Sequence, residues 1–154
     1  MNLRRYSFGS TSAIVTSLGI IVGFDVATAP RAAIVAGLLI IGIADNISDS
    51  LSIHVYQESE NLEGRAALRA TLTNFSARLV VALAFVAIVL VVPKPRLVAA
   101  SLACGLLLLG VLTYLVAHAR GVSAPREVAK HLAVAAAVIV VSRLIGAWIA
   151  SHIR

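Results

Sequence analysis

Five long apolar runs, separated by short polar breaks, make up most of the chain. They cover roughly residues 10–29, 32–56, 71–92, 97–119 and 127–152. Each approaches or exceeds the roughly 20 residues a helix needs to cross about 30 Å of hydrocarbon. Stretches such as LVVALAFVAIVLVV (79–92) show no strict alternation, so helices rather than barrel strands satisfy the backbone in lipid. All four prolines, Pro30, Pro93, Pro95 and Pro125, fall between runs, where helices stop. Connections are short except SENLEGRAALRA between the second and third runs. The pattern predicts an all-α, polytopic membrane protein, one domain of five transmembrane helices over residues 1–154.

Composition agrees. Hydrophobic residues are 60% of the 154, charged residues only 13%, and mean hydropathy is +0.97, whereas a soluble domain is about half apolar and a quarter charged. The net charge of +6 does not mark a nucleic-acid binder, because the basic residues flank oily segments instead of clustering with aromatics. With the N-terminus in the cytoplasm, that side collects Arg4, Arg5, Arg65, Arg69, Arg78, Arg120, Arg126 and Lys130. The other side keeps Arg31, Lys94, Arg96 and Arg154, with Arg143 inside the membrane, so eight against four favours that orientation. The lone Cys104 forms no intrachain disulfide and reads as a packing residue. The first run lacks a cleavage site, so no signal peptide is expected.

Past Gly42 the second run continues, with no further glycine and no proline, into a polar tail, GIADNISDSLSIHVYQESE (42–60), which predicts one continuous helix. On it, Asp45, Asp49, Ser52 and Tyr56 share a stripe about 60° wide. Measured from Arg31, Asp45 lies about 21 Å and Asp49 about 27 Å along the helix. Asp25, about 21 Å along the first span from Thr11, lies nearer the other surface, so the three carboxylates form a staggered ladder. A carboxylate in lipid costs at least ~2.5 kcal/mol and belongs against a bundle interior or water. Hard oxygen donors suit divalent cations or protons. Asp25, Asp45, Asp49 and Ser52 are therefore the candidate metal ligands, with Glu58, Glu60 and Glu63 drawing cations to the mouth.

Arg143 lies about 20 Å into the fifth span, close to the depth of Asp25. Asp25 accordingly either binds metal or forms a buried ion pair with Arg143. Asn46 and Ser48 read as hydrogen-bonding glue between helices. Gly19 and Gly23, in GIIVG, permit close helix approach. Trp148, His152 and Arg154 read as interfacial anchors, and His118 and His131 flank the last cytoplasmic loop. No nucleophile–base arrangement, metal-spaced Cys/His cluster or phosphate-binding glycine loop is visible, so an enzyme is not expected.

These residues resemble the vacuolar iron transporter family of divalent-metal exporters, over about Thr11 to His152. GFD (23–25) is similar to the family's Gly-x-Asp region, which places Asp25 at its intramembrane acid. AGLLIIGIADNISDSLSIHVYQESE (36–60) is similar to its AG…SM..GEY.S…..E stretch. On that register Asp49 stands at the glutamate of GEY, Ser52 at the serine, Glu58 at the later glutamate and Asp45 at the methionine. Looser similarities are Pro93, LLLLGVL (106–112) and LAVAAAVIVVSRLIG (132–146). The resemblance implies a homodimer whose first spans line a central path, exporting Fe²⁺ or Mn²⁺ from the cytosol in exchange for protons, with no permanently bound cofactor. Two departures follow. Aspartate replaces the methionine ligand, favouring harder cations, and the family's glutamate-rich cytoplasmic domain is reduced to ESENLEGRAALRA. The rival reading is a non-transporting membrane protein whose aspartates and Arg143 are structural interhelical pairs. A carrier of organic cations would need an aromatic cavity that 5% aromatics hardly supply.

Overall fold

A computed structural model describes residues 3–59 and 64–153, with side chains from Gly9 onward except at 53, 57–59, 64–67 and 70. It contains five helices: α1 (Leu3–Val26), α2 (Arg31–Ser59), α3 (Gly64–Val91), α4 (Lys94–Ala119) and α5 (Ala124–His152). All five are long and apolar enough to cross a membrane. The polar tail of the second run is helical to Ser59, as its lack of helix breakers predicts. The connection expected after it is shorter than the sequence suggests. RAALRA consists of strong helix formers, and α3 already begins at Gly64.

Helix α1 is the hub. It packs against all four other helices, while α2 lies on α3 and α4 on α5. The core is made by Ile14, Leu18 and Ile21 of α1 with Ile34, Leu38, Phe85, Val89, Leu97, Leu109 and Ala135. The end away from the N-terminus is tied by backbone chemistry. Thr28 takes a left-handed φ of 60° in the turn before Pro30. Arg31 then reaches across to donate to the carbonyl oxygens of Leu90 (3.0 Å) and Val92 (2.8 Å). A cation there satisfies carbonyls at the end of α3 and complements its dipole.

The α1–α5 contact depends on small residues. Gly19 and Gly23 face Ser142, and a Cβ built on Gly146 would drive into the carbonyl oxygen of Gly23. The GIIVG pattern thus serves close approach within one chain. Gly146→Leu should force the two helices apart and cost about 1–3 kcal/mol or more, as overpacking does. Thermal unfolding of purified Gly146→Leu in detergent should show a clearly lowered midpoint, and an unchanged midpoint would contradict the contact.

Candidate functional site

The polar chemistry inside the bundle collects on the seam between α2 and α3. Its organising residue is Arg78, fourteen positions into α3, whose side chain is only 5% exposed. Its Nη2 donates to Asp45 Oδ2 at 2.5 Å, and its Nη1 donates to Asp49 Oδ2. Asp45 and Asp49 stand one turn apart on α2, so a single guanidinium fork spans both. Arg78 is therefore not a loop charge, as its place in the basic-residue count assumed. Without it the side that holds the N-terminus keeps seven basic residues against four.

The neighbouring polar groups are also buried. Asn46 is fully buried and donates through Nδ2 to the carbonyl oxygen of Phe75 at 2.8 Å. Ser50 and Asn74 are buried alongside. Asn46 Oδ1, Ser50 Oγ and both polar atoms of the Asn74 side chain have no hydrogen-bond partner in the structure. Such atoms normally hold ordered water or an ion. Gly9 lets α1 close over this cluster, because a Cβ there would run into Asn74 and Arg78. Next to it lies a narrow cleft of about 20 Å³, lined by Thr16 and Ser17 of α1, Asp45 of α2 and Arg78 of α3 among others. That is room for about one water.

The acid stripe points differently from the expectation of a bundle-facing polar surface. Asn46, read as interhelical glue, faces inward together with Ser50, which the sequence reading passed over. Ser48, also read as glue, and Ser52 are exposed, and Ser52 Oγ donates to the carbonyl of Ser48 at 3.0 Å. Asp45 and Asp49 sit at the margin, 47% and 38% exposed, with their outer sides open and one oxygen each turned to Arg78. The 100° step between Asp45 and Asn46 separates the two faces.

Asp25 is remote from this seam. Asp45 is level with Ser17 of α1, and Asp25 lies eight residues further, about 12 Å along the axis. It borders a cleft with Thr28, Lys94, Pro95 and Val98 at the opposite end of the bundle. The staggering of the ladder therefore holds, but the three acids do not meet. The Asp25–Arg143 pair is not formed. Among the described residues the ion pairs are those of Arg78 with Asp45 and Asp49, and of Lys130 with Glu127. α5 presents Ser142 and Gly146 to α1, which turns Arg143, one position round, to the exposed surface. Glu58 lies on α2 with its side chain outside the described residues, as are Glu60 and Glu63 altogether. Among the described residues no three His, Cys, Asp or Glu side chains converge.

Asn74 and Arg78 could have been found in the sequence. They are spaced i, i+4 in TNFSARL and share one helix face. Comparison with protein-family models, curated proteins and solved structures finds no match to this chain. The likeness to the vacuolar iron transporters rests on the motifs quoted above.

Proposed function

We propose that this chain is a membrane transporter that moves a divalent cation, Fe²⁺ or Mn²⁺, in exchange for protons, with Asp45 and Asp49 as the exchangeable carboxylates. Arg78 acts as the internal cation that occupies them when the site is empty. The observation that carries this reading is the asymmetry of the triad: the arginine is buried, while both acids remain partly open on their outer sides. Two carboxylates and one guanidinium leave one net negative charge. A cation reaching the pair competes with Arg78 for the same oxygens, and a proton competes with the metal because a metal-bound carboxylate must be deprotonated. The unpartnered oxygens of Asn46, Ser50 and Asn74 are further hard donors on the inward face of the same seam.

Charge inside a membrane favours function over glue. A buried ion pair adds little stability compared with apolar residues of similar volume, and intramembrane ionisable groups mark ion and proton pathways by default. Lipid is a poor neighbour for the outer sides of Asp45 and Asp49. A second copy of the chain, seated on the exposed α2 stripe, would shield them, so a homodimer joined along α2 belongs to this reading. The basic-residue count favours an N-terminus in the cytosol, and the resemblance to the metal exporters gives export as the direction of transport. The structural rival has one observation of its own: Arg78 already neutralises half of the acid charge and laces α2 to α3.

Mn²⁺ binding to purified protein separates the two. Quenching of the free Mn²⁺ electron paramagnetic resonance signal should saturate at one ion per chain, weaken as pH falls, and drop at least tenfold in affinity in Asp45→Asn/Asp49→Asn. Failure of folded wild type to take up Mn²⁺ or Fe²⁺ would leave the triad as an interhelical clamp.

A further inference from the structure

A second, larger cavity of about 450 Å³ opens between α1, α4 and α5, toward the end of the bundle that holds the N-terminus. This is the size of a small-molecule site. Its walls combine Thr11, Ser12 and Thr16 of α1 with Thr113 of α4, and Arg120, Glu127 and His131 line it toward the α4–α5 connection. The Thr113 hydroxyl is buried and has no hydrogen-bond partner in the structure. Apolar residues of the three helices make up the rest of the wall, and a space this large with an unpartnered hydroxyl at its wall has room and a polar anchor for water. The charged groups leave its mouth mixed in sign. Lys130 binds Glu127 at 2.8 Å, and His131 Nδ1 donates to the Glu127 carbonyl at 2.8 Å, which leaves Nε2 available to water.

One residue borders both this cavity and the cleft at the acid site. Thr16 lines both the large cavity and the narrow cleft beside Asp45 and Arg78. Around α1 the lining residues form one continuous band, Thr11, Val15, Ser12 and Thr16 on the cavity side, then Thr16, Ile20, Ala13 and Ser17 on the cleft side. The band runs along the part of α1 between α2 and α5, which do not pack on each other. Thr16 thus stands between a space of about 450 Å³ and one of about 20 Å³.

We propose that the large cavity is a water-filled antechamber through which protons and small cations reach Asp45, and that Thr16 is the constriction where an arriving ion must shed water. The route rests on the transport reading for its cargo; the antechamber does not. With room for about one water, the narrow side admits a proton or a stripped cation and excludes a fully hydrated one. The Thr16 hydroxyl offers an oxygen in place of lost hydration.

The test uses the full chain with Cys104→Ala, which removes the native thiol, and single cysteines at Ser12→Cys, Thr16→Cys and the lipid-exposed Val140→Cys. In proteoliposomes, a small membrane-impermeant cationic thiol reagent should modify the first two at least tenfold faster than the third. Equal, slow rates at all three would overturn the antechamber. In the same vesicles, Thr16→Leu should cut divalent-cation flux at least tenfold while labelling at Ser12→Cys stays unchanged, and unaltered flux would overturn the constriction. Fast labelling with no wild-type flux refutes the transport reading and the constriction together and upholds the antechamber. Slow labelling with normal flux does the reverse: transport stands and the route is wrong.

Discussion

Arg78→Leu should be the most damaging single substitution in the chain. It removes the guanidinium that holds Asp45 and Asp49 and leaves two facing carboxylates in a membrane bundle. Breaking a buried pair costs about 3–5 kcal/mol because the surviving charge is uncompensated. The partial exposure of the acids argues for the lower end, while the presence of two of them argues for the upper. The loss of Arg78 packing against Gly9 adds to it. In detergent, the variant should elute mostly as aggregate or unfold well below wild type. The informative comparison is the triple variant Asp45→Asn/Asp49→Asn/Arg78→Leu. It has no unpaired charge and should recover most of the stability, since replacing a whole ion pair is often neutral. A triple variant as unstable as Arg78→Leu would mean that the arginine acts through packing, not charge.

The second large effect separates transport from folding. Asp45→Asn and Asp49→Asn each keep the size of the side chain and an oxygen that still accepts from Arg78, so both proteins should assemble normally. Each removes one of two negative charges, turning a site of net charge −1 into a neutral one that a divalent cation has no reason to enter. Proton exchange at that position is lost as well. Flux should fall at least tenfold in either variant and to background in both together. Asp25→Asn, about 12 Å away along α1 and outside the triad, should reduce flux less. Normal flux in the double variant would move the site elsewhere.

Much of the architecture was legible because span length and proline placement are set by hydrocarbon thickness and backbone sterics, neither of which depends on tertiary context. The continuity of α2 through Asp45, Asp49 and Ser52 was legible for the same kind of reason. The site was only half visible. Asp45 and Asp49 stood out because acids in an apolar run are costly, and periodicity put them on one stripe. What periodicity does not specify is which way a helix is rotated. Asn46 and Ser50, rather than the acids, face the bundle. Arg78 was masked by its proximity to an apparent loop. Because α3 begins at Gly64, the arginine lies about 21 Å along its helix, where it meets Asp45 at about the same distance along α2. Arg143 looked like the natural intramembrane partner on depth alone, but depth carries no azimuth, and α5 turns it outward.

The account comes down to whether a divalent ion crosses this protein when protons move the other way. The direct measurement is Mn²⁺ accumulation in proteoliposomes of wild-type protein under an imposed pH gradient, followed with a trapped metal-sensitive dye. Exchange predicts uptake that starts with the gradient, stops when a protonophore collapses it, and alkalinises the lumen in step with metal entry, because protons leave as the metal enters. Uptake indistinguishable from empty liposomes, from protein shown to be folded, would contradict it and leave the Asp45–Arg78–Asp49 triad as a clamp between two helices.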